Sequence, residues 1–236
     1  LEFRRVLFRS IDAPGFFHKD VTGYLPALVN TYRHASSSAG RSIHYLVCDN
    51  EATLLYMANL GCIELNPWLS RLGHLDHPDY IVIDLDPDEQ SYQDVVKVAL
   101  VVKEVMDSVK VKAFVKTSGA SGMHIYIPTG ARLDYDVSRS LAQAICRVVE
   151  ARLPNLTTME RTPSRRRGKM YLDCLQNRRS QTLAAVYCIR PRRGATVSTP
   201  LDWSELKPGL SPEAFTIKTV PDRVARIGDL WQDMGD

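Results

Sequence analysis

The segment Tyr80-Ile81-Val82-Ile83-Asp84-Leu85-Asp86-Pro87 constrains this chain more than any other. Its β-branched and apolar residues read as a buried strand. Alternate side chains of a strand share a face, so Asp84 and Asp86 project together while Ile81, Ile83 and Leu85 pack behind them. Two acids side by side at a strand end repel unless a cation sits between them, which makes the pair a candidate divalent-metal site. The residues after the strand narrow the fold class. Ser91 with Asp94 three residues on has the form of a capping box, and Val95, Val98, Val102, Val105 and Val109 recur at helical spacing. A strand leading into an amphipathic helix that lies on a sheet gives an α/β or α+β chain with a mixed sheet.

The remaining pattern is consistent with that class. Val21, Tyr24, Leu25, Leu28 and Val29 have helical spacing and predict a helix from Asp20 to near Asn30. Ser36 to Gly40 reads as a loop, Ile43 to Cys48 as a strand, and Glu51 to Leu60 as a short helix closed by Gly61. Lys112 to Lys116 and Met123 to Ile127 read as short strands, Asp136 to Arg152 as a second amphipathic helix, and Met170 to Asp173 as the start of another strand. No internal repeat or low-complexity tract interrupts the series. Leu1 to Ser10 carries three arginines among apolar residues without cap or periodicity. It reads as a leader, either a basic arm, a disordered stretch or residues foreign to the natural protein.

Composition excludes several classes. With 236 residues, 44% of them hydrophobic and 24% charged, the chain can bury a full core in one large or two small domains. A net charge of +3 is too small to mark a nucleic-acid binder, so any basic signal has to come from local clustering. The cysteines, Cys48, Cys62, Cys146, Cys174 and Cys188, are odd in number and form no C-x-x-C pair. That argues against a disulfide framework or a zinc knuckle and fits a reducing cytoplasm. No stretch reaches the ~18 consecutive apolar residues of a membrane span, and no signal peptide is recognisable.

Three segments carry candidate chemistry. The first is the acid pair, for which an EF-hand reading fails because the sixth position of the loop is Glu89 and the twelfth is Val95. A haloacid-dehalogenase-like phosphotransferase also places D-x-D after an apolar strand, with one Asp as nucleophile. The second is Lys116-Thr117-Ser118-Gly119-Ala120-Ser121-Gly122-Met123-His124, a turn of small residues between two strands. Its glycines let backbone N–H groups approach an anion, its hydroxyls add donors, and His124 emerges beside it, so polyphosphate is a natural ligand. The third is the basic run Arg165-Arg166-Arg167-Gly168-Lys169, leading into a strand that carries a single acid, Asp173. It could supply phosphate contacts and a third carboxylate. Together these are the parts of two-metal phosphoryl transfer, in which paired cations ~3.5–4 Å apart clamp attacking and leaving oxygens.

The succession Asp84-Leu85-Asp86-Pro87, Ser118-Gly119-x-x-Gly122-x-His124 and Asp173-x-x-Gln176-Asn177 closely resembles the polymerase domain of bacterial ligase D, in the archaeo-eukaryotic primase superfamily. Gly15-Phe16-Phe17-His18-Lys19, Asn59 to Leu65 and Val197 to Trp203 add to the match, which covers nearly everything from Ile11 onward. The resemblance implies an α+β primase-polymerase fold, with mainly antiparallel sheets flanked by helices around a central catalytic cleft. It implies a nucleotidyltransferase of non-homologous end joining that adds nucleotides, ribonucleotides preferred, to a DNA 3′-hydroxyl, template-directed or terminally. Asp84, Asp86 and Asp173 would hold two divalent ions, Mn2+ or Mg2+. Ser118, Gly119, Gly122, His124, Gln176, Asn177, Arg190 and Asn66 would contact the nucleoside triphosphate. Phe16 and Phe17 would stack on DNA, with Lys19, Arg165, Arg166, Arg167 and Lys169 on its backbone. Implied partners are DNA ends, gapped or primer-template DNA, a fused or separate ATP-dependent DNA ligase and the bacterial Ku end-binding protein. No membrane is implied, and the place of action is the nucleoid.

Two departures accompany the match. Many relatives have His before the Pro-Trp pair where this chain has Asn66, which can hydrogen-bond but cannot carry charge. Family domains also begin tens of residues before the Gly-Phe-Phe segment, with an element that helps recognise a 5′-phosphate. The expectation is therefore a polymerase domain over residues 11–236, shortened on its N-terminal side behind a leader of residues 1–10. The alternatives are the phosphotransferase and a noncatalytic DNA-binding module.

Overall fold

The computed structural model describes residues 3–7, 15–18, 20, 21, 23, 25–36 and 40–234, with backbone alone at 3–7, 16–18 and 35–36. Its strands and helices run in the order β1 (Phe3–Leu7), β2 (Phe16–His18), β3 (Asn30–Ser36), β4 (Arg41–Val47), α1 (Glu51–Asn59), β5 (Cys62–Pro67), β6 (Tyr80–Asp86) and α2 (Tyr92–Ser108). They continue as β7 (Phe114–Thr117), β8 (Met123–Pro128), α3 (Tyr135–Arg152), β9 (Thr157–Thr158), β10 (Met170–Asp173), β11 (Pro200–Leu201) and α4 (Val220–Ile227). Part of the residues 1–10 expected as a leader is thus described as β1, which pairs with β2 and β5.

A six-stranded sheet in the order β11-β7-β8-β6-β10-β9 forms the centre. Its pairings are antiparallel except β10 with β9. One face packs Ile81, Ile83, Leu85, Met123, Ile125, Met170 and Leu172 against α2 and α3. Val82, Phe114, Tyr126, Leu183 and Trp231 form a smaller cluster. The class is mixed α+β with antiparallel-rich sheets, one of the two classes that the strand-and-helix pattern allowed. In α2 the capping box is present, with the Ser91 side chain accepting from the Asp94 backbone, and Val95, Val98, Val102 and Val105 are buried. Val109 lies one residue beyond the helix and is 60% exposed, so the apolar stripe stops with the helix.

The helix predicted from Asp20 to Asn30 is absent among the described residues, and β3 starts where it was to end. Pro26 has no N–H to give a helix, and Gly23 adopts a φ of +96°. The segment turns instead, with Val29 N–H donating to the Pro26 carbonyl at 2.9 Å and Val21 N–H to the His44 carbonyl at 2.8 Å. Smaller sheets of β2-β1-β5 and β3-β4 complete this front of the molecule. Among the described residues no helix is long and apolar enough to cross a membrane.

Candidate active site

Strand pairing assembles the acids. Asp173 of β10 lies opposite Asp84 of β6, and Tyr171 opposite Asp86, so all these side chains share one sheet face. His124 of β8 lies opposite Asp84 on its other side. Burial, reinforced by Asp173 and Asp86, pushes the Asp84 carboxyl up to about 8, against the opposing pull of Lys116 and Arg190. Burial also raises Asp173, although its carboxylate accepts hydrogen bonds from Leu175 N–H (2.7 Å), Gln176 Nε2 (3.2 Å) and the Tyr171 hydroxyl (3.3 Å). Asp86 is half-exposed and pairs with Arg166 at 3.2 Å.

Carboxyls held near one another at this cost suit a hard divalent cation bound through oxygen. As the side chains stand, Asp86 and Asp173 are engaged with protein donors, Asp84 Oδ1 lies 3.5 Å from His124 Nε2, and among the described residues no three His, Cys, Asp or Glu side chains are grouped to hold a metal. The donor type and the backbone register therefore fit cations, while Asp86 has to leave Arg166 to take part.

The small-residue turn is closed on itself. The Ser118 hydroxyl accepts from Ala120 N–H (3.0 Å) and Gly122 N–H (3.1 Å), and Ser118 N–H donates to the Gly122 carbonyl (3.0 Å). Three of the turn's backbone N–H groups are thus already used. The Ser118 hydroxyl proton remains as a donor of the turn. The glycines also allow close contact. A Cβ on Gly122 would stand 2.0 Å from the Leu85 carbonyl oxygen, between the two acids of β6, and one on Gly119, where φ is +71°, would stand 2.6 Å from Arg190 Cγ. The Thr117 hydroxyl is spent on the Val197 carbonyl and on Thr199 N–H.

Arg190 ties this turn to the front of the molecule. Its Nη1 donates to the Ser118 carbonyl and its Nε to Glu64, each at 3.1 Å, and Glu64 accepts from Asn66 Nδ2 at 3.0 Å. Asn66 therefore reaches the turn only through Glu64 and Arg190. Asn177 departs from expectation more sharply. It is fully buried, and its amide donates to the Val82 and Cys174 carbonyls (2.7 and 2.9 Å) while accepting from Val82 N–H (2.8 Å). It extends the β6 ladder beyond the end of β10 and offers a nucleotide nothing.

Of the basic run, Arg166 alone reaches the acids, stacking on the Tyr171 ring at 4.3 Å. Arg165 and Arg167 are exposed, and Lys169 donates to the Pro154 carbonyl at 2.6 Å. Phe16 and Phe17 belong to β2, where backbone alone is described, and Lys19 lies outside the described residues.

Other residues enter the site without having been singled out in the sequence. A cleft of about 300 Å³ is lined by Asp86, Arg161, Arg166, Asp173, Gln176 and Arg178. Arg178 keeps a buried Nε without a hydrogen-bond partner, as does Arg166. Lys116 stands behind His124, and Glu64 behind Arg190. Glu64 was marked only by an acid between Ile63 and Leu65, and nothing local to Arg178 signals its place.

Comparison with known proteins identifies the family. The family model for the LigD primase-polymerase domain matches residues 3–231. The bifunctional non-homologous end joining protein LigD of Bacillus subtilis is 32% identical over 215 residues, covering 90% of this chain and 34% of that protein. The multifunctional LigD protein of Pseudomonas aeruginosa is 31% identical over 183 residues, covering 76% of the chain and 22% of its own length. The chain thus spans about a third or less of these relatives. The polymerase domain from Mycobacterium tuberculosis ligase D, solved in complex with DNA, superposes with a TM-score of 0.89 at 27% identity, covering 99% of this chain and 84% of that one. By this match along almost its whole length, the chain belongs to the LigD primase-polymerase domain family.

Proposed function

We propose that this chain is the polymerase domain of a DNA end-joining protein, a nucleotidyltransferase that extends a DNA 3′-hydroxyl with nucleotides, ribonucleotides preferred, at broken or gapped ends. The observation that carries the reading is the pairing of Asp173 with Asp84 beside Asp86, which gathers three carboxylates on one face, where burial, reinforced by the other two acids, pushes the Asp84 carboxyl up to about 8. Asp84, Asp86 and Asp173 would hold two divalent ions, manganese or magnesium, which when bound lower the pKa of the attacking hydroxyl and neutralise phosphate charge.

The chain's own groups bind and orient. The Ser118 hydroxyl donates to a phosphate oxygen of the incoming triphosphate, and Arg190, held by Glu64, adds positive charge beside it. Gln176 keeps the Asp173 carboxylate aimed. Arg178 and Arg166, which line the cleft of the acids, supply guanidinium donors to a DNA phosphate. The solved relative bound to DNA supports nucleic acid as partner. The names and lengths of the relatives support a larger protein with a ligase.

Primer extension on a gapped duplex, with manganese or magnesium and with ribo- or deoxynucleoside triphosphates, tests the reading. Asp84→Ala is expected to lower extension by about a thousandfold, the several kcal/mol that metal-ion catalysis supplies. Undiminished extension by that variant would sink the assignment.

A further inference from the structure

Lys116 is a charged residue with no exposed surface at all, placed inside β7. The reaction proposed above makes no use of it. Its ammonium meets three groups: the Ala184 carbonyl at 3.0 Å, the Ser198 hydroxyl, and Nδ1 of His124 at 2.9 Å. A carbonyl only accepts. The Ser198 hydroxyl gives its own proton to the Thr117 carbonyl at 2.8 Å, so towards Lys116 it also accepts. An ammonium has three N–H bonds and no lone pair. The third of them therefore goes to Nδ1, which has to present its lone pair.

This decides the proton on His124. A ring that turns its Nδ1 lone pair to Lys116 carries its single N–H proton on the other nitrogen. With Nδ1 accepting, that proton sits on Nε2, and Nε2 lies 3.5 Å from Asp84 Oδ1, on the face of the acids. The contact is thus one of a neutral N–H donor with a carboxyl group, not an ion pair. We propose that Lys116 is a positioning residue, which locks His124 in its Nε2–H tautomer and so aims a hydrogen-bond donor at the face where the triphosphate binds. The lock stands on the hydrogen bonds of Lys116 in its ammonium form, whereas the use made of the donor rests on the polymerase reading.

Nitrogen NMR of 15N-histidine-labelled, metal-free protein at about pH 6 tests the lock, because Lys116, drawn down to about 7 by burial, is then an ammonium. His124 is expected to show a protonated Nε2 and a bare, hydrogen-bonded Nδ1. A proton on Nδ1 overturns the proposal without any variant being made, and does so whether or not the domain extends primers. Lys116→Met, of similar length but without a donor, is expected to release the ring into a mixture of tautomers. Its KM for nucleoside triphosphate should rise about tenfold, the loss of one charge-assisted contact, with kcat changed far less. A folded variant that keeps the Nε2–H form alone overturns the lock, and mixed tautomers with an unchanged KM overturn its use in binding. Where the variant fails to fold, the wild-type tautomer decides. Loss of primer extension in the wild type would refute the polymerase reading and leave the tautomer result standing.

Discussion

In β6, β8 and β10 the acid face is set by backbone pairing: Asp84 has His124 on one side and Asp173 on the other, each directly opposite. The front of the molecule, up to β5, contributes differently. It reaches the site through side chains, Asn66 holding Glu64 and Glu64 holding Arg190. Pairing register cannot drift by one residue without turning every side chain to the other face, so the acids are placed rigidly. A chain of side-chain contacts can loosen one link at a time. The first arrangement suits groups that must converge on one point, and the second suits a group that only has to lie near a diffuse charge.

The largest test of that contrast is Gly122→Ala. The added Cβ would sit 2.0 Å from the Leu85 carbonyl oxygen, and backbone on both sides has to move. Overpacking of this kind costs about 1–3 kcal/mol. At about 3 °C per kcal/mol for a chain of this length, the melting temperature falls by roughly 3–10 °C. Extension should fall further than stability, since the shift lies between Asp84 and Asp86. A variant with a lower melting temperature but full extension would show that the acids tolerate movement and that register is not what places them.

Asn177→Ala separates the sheet's stability from its chemistry. Its amide supplies three hydrogen bonds to buried backbone, and removing it leaves the Val82 N–H and carbonyl without their partner. The expected loss is about 1–3 kcal/mol, read by thermal unfolding. Extension per folded molecule should fall less than in Gly122→Ala, because β10 still pairs beside Asp84. A specific loss of nucleotide affinity would instead return Asn177 to the nucleotide contacts that the motif implied.

The two regions also differ in how much of them could be read from sequence. β6 has the bounds that its apolar, β-branched run predicts, β10 begins at Met170 as read, and α2 begins at its capping box, because those signals are local. Between Asp20 and Asn30 the apolar spacing was helical, but Pro26 and Gly23 overrode it. β3 and β5, in small sheets with mixed exposure, lack a continuous apolar run. Within the site, residue types were legible and their partners were not. Asp84, Asp86, Asp173 and the Ser118 turn stand out by kind and spacing. That Asn177 clamps backbone 95 residues away, or that Lys116 reaches His124, depends on pairings that only the folded sheet creates.

The smallest expected effect lies at the front, at Glu64→Gln. The carboxylate side chain is 9% exposed and accepts from both Arg190 Nε and Asn66 Nδ2. An amide of the same shape can still accept from Arg190, so the guanidinium keeps its direction but exchanges a charge-assisted bond for a neutral one. That exchange is worth about 1 kcal/mol. If Arg190 serves the triphosphate, the loss appears as a rise of about fivefold in KM for nucleotide, with kcat nearly unchanged, since the groups around Asp84 do not move. The same steady-state comparison on Gly122→Ala should show the reverse pattern, with kcat bearing the loss. Equal effects on kcat in both variants would mean that the front places Arg190 as strictly as strand pairing places the acids, and the distinction between the two regions would fall.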